Sequence, residues 1–178
     1  FVEKKVNEIH EYPPYFKQME HYNLGKAPYL CDRKFCRPLT PKKVKKAIKD
    51  GTQLLDVRRP TSFGSAHVPG SFNTWLQGVP SFVGWFLDYD KPIVVILDQP
   101  EDIHEVQDYL SRIGYDNVLG YLLEGMLTWY VNGLDFTQLS TISVQTLKQI
   151  VDEEKDVQIV DVRSKEEWDE GYIEGAKN

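Results

Sequence analysis

The chain contains a partial copy of itself, and that copy limits the folds open to it. From Leu54 to Asn73 it reads LLDVRRPTSFGSAHVPGSFN, and from Ile159 to Asn178 it reads IVDVRSKEEWDEGYIEGAKN. Asp56, Val57, Arg58, Gly70 and Asn73 recur as Asp161, Val162, Arg163, Gly175 and Asn178, each 105 residues further on. Upstream, Thr40-Pro41 with Val44, Ala47 and Ile48 is matched by Ser143 with Leu147, Ile150 and Val151 at a spacing of 103. Solenoid repeats run to roughly 20–50 residues, so a period near a hundred means duplicated globular domains. A length of 178 residues then holds one complete module and the opening of a second.

Charge and composition exclude several classes. A net charge of −6 gives no footprint for nucleic acid or an anionic membrane, both of which call for clustered Lys and Arg. The one basic run, Lys42 to Lys49, reads as the solvated face of a helix. No apolar run approaches the roughly 20 residues of a membrane-spanning helix. Cys31 and Cys36 lie wider apart than Cys-x-x-Cys, with no Cys or His pair at ligand distance. They read as free thiols in a linker of a cytoplasmic protein. His10, His21 and His104 are scattered, so no metal site and no cofactor is expected within the chain.

Taken in order, Phe1 to Asn23 carries helical spacing broken at Pro13-Pro14, and Leu24 to Pro38 reads as a linker. Thr40-Pro41 starts a helix that buries Val44, Ala47 and Ile48 and stops at Gly51. Thr52 to Val57 is a strand, Pro60 to Ser65 a short helix or turn, and His67-Val68-Pro69-Gly70 a tight turn. Phe72 to Tyr89 places Val79, Phe82, Val83 and Phe86 at helical spacing, which predicts a helix facing the core; a docking surface using Trp75, Trp85 and Phe86 is the competing reading. The apolar run Ile93 to Leu97 predicts a strand buried on both faces of a parallel sheet. Asp98 then caps a helix whose inward face is Ile103, Val106, Leu110 and Ile113. A strand over Asn117 to Tyr121 and a helix over Glu124 to Asn132 complete the module. Alternating strands and helices give an α/β fold, and ligands of such sheets bind beyond the carboxyl ends of the strands.

The combination of Asp56-Val57-Arg58, Phe63, His67-Val68-Pro69-Gly70-Ser71 and Asn73 with Leu123-Glu124-Gly125-Met126, Trp129 and Gly133 resembles the rhodanese, or sulfurtransferase, domain family. The resemblance implies a parallel sheet of about five strands with helices on both faces. Phe1 to Leu30, with Pro13-Pro14-Tyr15-Phe16, Met19, Asn23 and Gly25, looks like the C-terminal tail of a metallo-β-lactamase-fold protein of the glyoxalase II and persulfide dioxygenase type. The domains expected are therefore 1–37, a tail of an upstream domain plus linker; 38–135, the complete rhodanese-like module; and 136–178, the start of a second one. Iron or zinc would belong to the upstream fold.

By that resemblance an active rhodanese places a Cys directly after the buried strand, in a loop whose amides and helix terminus lower the thiol pKa and hold an anionic persulfide. Asp98 stands there instead. The loop Asp98-Gln99-Pro100-Glu101-Asp102-Ile103 lacks the Gly and Arg of the family pattern, and Pro100 removes an amide donor. No catalytic residue is assigned to it. Asp56 with Arg58, and Asp161 with Arg163, read as structural ion pairs; His67 as a fold-holding hydrogen bonder; Gly70 and Trp129 as structural parts of the motif. The expected function is a catalytically inactive rhodanese-homology domain serving as a spacer or docking module in a sulfide- or persulfide-metabolising fusion enzyme. Two alternatives stay open: an active sulfurtransferase whose Cys belongs to the second repeat, and a protein-interaction module using the aromatic segment. Partners would be neighbouring domains of the same polypeptide, with homo-oligomers also open.

Overall fold

The computed structural model describes residues 12–29, 33–153 and 156–178. Two compact units divide it, one ending at Ser140 and one spanning Thr141–Asn178. The first unit carries α1 (Phe16–His21), β1 (Arg37–Leu39), α2 (Pro41–Lys49), β2 (Gln53–Asp56), α3 (Pro60–Ser65) and β3 (Phe72–Asn73). These are followed by α4 (Val79–Phe82), β4 (Ile93–Ile96), α5 (Ile103–Arg112), β5 (Val118–Leu122) and α6 (Gly125–Val131).

All five strands run parallel, in the order β1-β5-β4-β2-β3. Central β4 is buried along its whole length, as its unbroken apolar run requires. Its side chains alternate between two cores. Ile93, Val95 and Leu97 join Leu55, Val57, Val79, Val83 and the inward face of α5 on one side. Val94 and Ile96 join Val44 of α2, Leu54, Val68, Leu122 and Trp129 of α6 on the other. Helices thus cover both faces of the sheet.

Three expectations change. The segment from Phe72 to Tyr89 is not one core-facing helix: β3 leads into a 3-10 turn at Leu76–Gly78, the four-residue α4 and another 3-10 turn at Val83–Trp85. Only Val79, Val83 and Leu87 of its large side chains are buried, while Trp75, Phe82 and Trp85 are about half bare. Pro80 cannot donate within a helix, and it divides the segment.

The linker reading of Leu24 to Pro38 also gives way. Arg37–Leu39 forms β1, paired with β5, and Cys36 is buried in the first core. Cys36 is therefore part of the module; Cys31 lies outside the described residues, as does His10. The tail is docked as well. Tyr15 and Met19 pack on the first core, and Gly84, which has no side chain, receives the Tyr15 ring. Gln18 lies against Gly114, and the Tyr22 hydroxyl donates to Asp116 at 2.5 Å. A division at 37/38 cuts through β1, and a division at 135/136 separates partners, because His67 and Thr137 exchange backbone hydrogen bonds and Leu139 N–H donates to the Gly64 carbonyl.

In the second unit α7 (Val144–Asp152) precedes a parallel bridge between Val160 and Lys177, and α8 (Lys165–Asp169) lies in the connection between them. None of its described residues is buried. Val57 is 5% exposed in the first unit, whereas its counterpart Val162 is 92% exposed.

Candidate functional site

The carboxyl ends of β2, β3 and β4 converge on one edge of the sheet. At the end of β2, buried Asp56 accepts from Arg58 Nε at 2.9 and 3.1 Å, from Arg58 Nη2 at 2.7 Å and from the Arg58 backbone N–H at 3.1 Å. Arg58 Nη2 also donates to the Ala66 carbonyl, and Asn73 Nδ2 donates to the carbonyls of Asp56 and Arg58. Burial pushes the Asp56 carboxyl up, the Arg58 bonds pull it down, and the charge of Asp98 adds a smaller push upward.

The same fork recurs in the second unit, where Arg163 grips Asp161 at 2.6 to 3.0 Å and Asn178 donates to the carbonyls of Asp161 and Arg163. There, in water, the Arg163 hydrogen bonds hold the Asp161 carboxyl below its usual range. In the first unit His67 is buried. Its Nδ1 is 2.9 Å from the Phe63 carbonyl, the distance of an N–H donated to it, and its ring stacks on Phe63 at 3.9 Å. Trp168 and Tyr172 stack in the matching positions at 4.4 Å. Gly70 supplies the left-handed corner, with φ 78°, after which Ser71 N–H bonds back to the Val68 carbonyl. Trp129 Nε1 donates to the Asp135 carbonyl at 2.8 Å.

Beyond Leu97 the chain leaves β4 through exposed Asp98, Gln99 and Pro100. A 3-10 turn at Pro100–Asp102 intervenes before Ile103 opens α5. The expectation that Asp98 caps this helix is not met: no side chain caps either turn. Asp102, which precedes α5, already has helical φ and ψ, so the extended pose of a capping residue is missing. Asp102 is pushed up by burial and by the charges of Glu105, Glu101 and Asp98. The mouth is thus negative, with one fewer amide because of Pro100.

The opposite wall is the β5–α6 turn. Glu124 adopts φ 55°, the one described non-glycine residue in the left-handed region. Gly125 sits so close to β4 that a Cβ there would lie 2.7 Å from the Leu97 carbonyl oxygen. Only glycine permits that approach. The Glu-Gly pair stood in the motif, but its contact with Leu97 is long-range and left no trace in local pattern. Thr74, just past β3, is buried with a hydroxyl that has no partner among the described residues.

Cys36 sits at the other end of the sheet. Its Sγ is 3.8 Å from the carbonyl of Val118, which pairs with Ile93 at the start of β4. Four residues of strand, roughly 13 Å at about 3.3 Å each, separate that level from Leu97. Burial pushes the Cys36 thiol up to about 11, against a weaker pull from Arg33. A buried thiol of that kind is a poor nucleophile. Among the described residues no group of three or more His, Cys, Asp and Glu could hold a metal ion, and no helix is long and apolar enough to cross a membrane.

The Asp-x-Arg fork and the exposed Asp98 loop thus both lie at the carboxyl ends of the strands of a parallel α/β sheet. The family model of the rhodanese-like domain matches residues 40–132 and 143–178, and the chain belongs to that family. The thiosulfate sulfurtransferase GlpE of Shewanella oneidensis is 33% identical over 73 residues, covering 41% of this chain and 69% of that protein. GlpE of Pseudomonas aeruginosa is 29% identical over 87 residues, covering 49% of this chain and 76% of that protein. Two solved structures share the fold. One is the Alr3790 protein from Anabaena, with a TM-score of 0.52 at 18% identity over 62% of this chain and 99% of that one. The other is a metallo-beta-lactamase from Staphylococcus aureus, with a TM-score of 0.55 at 24% identity over 68% of this chain and 34% of that one.

Proposed function

We propose that the module ending near Ser140 is a catalytically silent rhodanese-like domain, acting as a structural and docking element in a polypeptide that metabolises sulfide or persulfide. The observation that carries this reading is Asp98, exposed directly after central β4 where sulfur transfer needs a thiol. The loop around it is acidic and lacks the amide that Pro100 gives up, so it disfavours thiosulfate and persulfide, which are anions. Cys36 does not substitute, since it is buried at the far end of the sheet. Support for a metallo-β-lactamase-fold neighbour, which would hold the iron or zinc outside this chain, comes from the Staphylococcus aureus metallo-beta-lactamase, whose chain contains this fold in about a third of its length.

Sulfur transfer from thiosulfate to cyanide by the full chain tests the proposal. The expected result is background turnover. Turnover that survives replacement of both Cys31 and Cys36 by Ser would overturn the assignment of Asp98, and turnover lost in that double variant would reveal an unusual thiol site. The docking reading draws on a separate observation: Trp75, Phe82 and Trp85 are not covered by their own sheet.

A further inference from the structure

Between Arg59 and Asp88 the chain has no Asp, Glu, Lys or Arg, although 27% of its residues are charged. This stretch carries a set of half-bare aromatic rings: Phe72 at 41%, Trp75 at 43%, Phe82 at 46% and Trp85 at 46% exposure. The rings are ordered against one another, with Trp75 and Phe82 centred 5.4 Å apart and Phe72 stacked on Phe86 at 5.4 Å. Gly84, beside Trp85, already receives Tyr15, whose ring meets that of exposed Phe16 at 5.4 Å. The tail therefore packs on the same stretch of chain that carries the exposed rings.

We propose that this aromatic face is the contact of a symmetric dimer, with a second copy of the same chain as its occupant. In a two-fold contact the groups close to the axis meet their own copies, so a charge there would face a like charge, whereas an uncharged aromatic ring can stack on its copy. A chain of net charge −6 is repelled by its own copy over most of its surface, and the uncharged stretch is where that repulsion is weakest. Its size also fits. A large aromatic side chain can bury about 150–250 Å², so four half-bare rings offer on the order of 300–400 Å². That is the apolar centre of a standard interface, which takes roughly 800 Å² from each partner, the remainder being polar rim. Trp residues in such centres carry much of the binding energy. The dimer deepens the docking reading above by naming the partner, and it does not depend on whether the Asp98 loop is silent.

Sedimentation velocity of the full chain from about 1 to about 100 µM tests it, a range that covers a weak interface of this size. The expected result is a shift from the 20.6 kDa monomer to twice that mass. Trp75→Glu and Trp85→Glu, each with an unchanged circular dichroism spectrum, are expected to raise the dimer dissociation constant at least about tenfold. If Trp75→Glu does not fold, Phe82→Glu takes its place. A wild-type monomer at the highest concentration assigns the face to a different protein and overturns the dimer, as does a dimer that both folded variants leave intact. Sulfur transfer by a wild-type dimer would sink only the silent-loop reading, and a monomer without transfer would sink only the dimer.

Discussion

Asp56 and Arg58, two residues apart, are closed into a fork in which both carboxylate oxygens receive guanidinium hydrogens while the pair lies out of water. Removing one member leaves an uncompensated charge inside the protein. Arg58→Ala is therefore expected to lower stability by about 3–5 kcal/mol, read from urea unfolding. Arg163→Ala, at the solvated copy of the fork, is expected to leave the urea midpoint where it is. Equal losses from the two variants would contradict the role given to burial.

At the mouth, Asp98→Cys alone is expected to create an exposed thiol that alkylates no faster than a free cysteine, without creating sulfur transfer. The new thiol would stand among Glu101, Asp102 and Glu105, beside a proline that donates no amide. Alkylation rates and thiosulfate turnover, measured together, check this. Turnover well above background would show that the loop needs only a nucleophile.

Alkaline pH is expected to weaken the first unit through Cys36. A thiol raised to about 11 in the fold ionises first in the unfolded chain. Its contribution is complete below the ordinary thiol pKa of about 8.5, declines as pH climbs through that value and is gone above about 11; it amounts to roughly 3 kcal/mol at most. Tyr89 is raised to about 12 by burial and adds a later loss of the same sign. Urea midpoints from neutral to alkaline pH in wild type and Cys36→Val separate the two, because only the earlier decline depends on the thiol.

Gly84→Val is expected to expel Tyr15 and free the tail, since the new side chain would occupy the place of the ring. Trypsin cleavage after Lys17, on the exposed face of α1, is the readout, and it should quicken several-fold relative to wild type. Unaltered cleavage would mean that Met19 and the Tyr22–Asp116 hydrogen bond hold the tail without Tyr15.

What could be read beforehand followed from periodicity and burial. Five apolar residues from Ile93 to Leu97 leave no polar face, so β4 had to be covered on both sides, and the general rule for parallel sheets pointed to the turn after Leu97 as the place to look for a site. The inward stripe of α5 at Ile103, Val106 and Leu110 was equally plain. Local pattern failed where long-range contacts decide. Cys36 is flanked by exposed Phe35 and Arg37 and gave no sign of burial, since β5 buries it from 82 residues away. Helical spacing over Val79, Phe82 and Val83 suggested one helix, but Pro80 and two glycines break it into turns and leave Phe82 outside. Asp98 looked like a cap because it precedes a helix with Pro and Glu behind it, yet the intervening 3-10 turn displaces α5 beyond its reach.

The tail is seated at three successive points, Tyr15, Gln18 and Tyr22, spaced along one side of a helical segment. Three anchors stop a rod from swivelling. Any polypeptide joined ahead of Tyr15 therefore inherits a heading from the sheet, and a fragment trimmed to begin at Pro38 would lose that bearing together with part of its own interior.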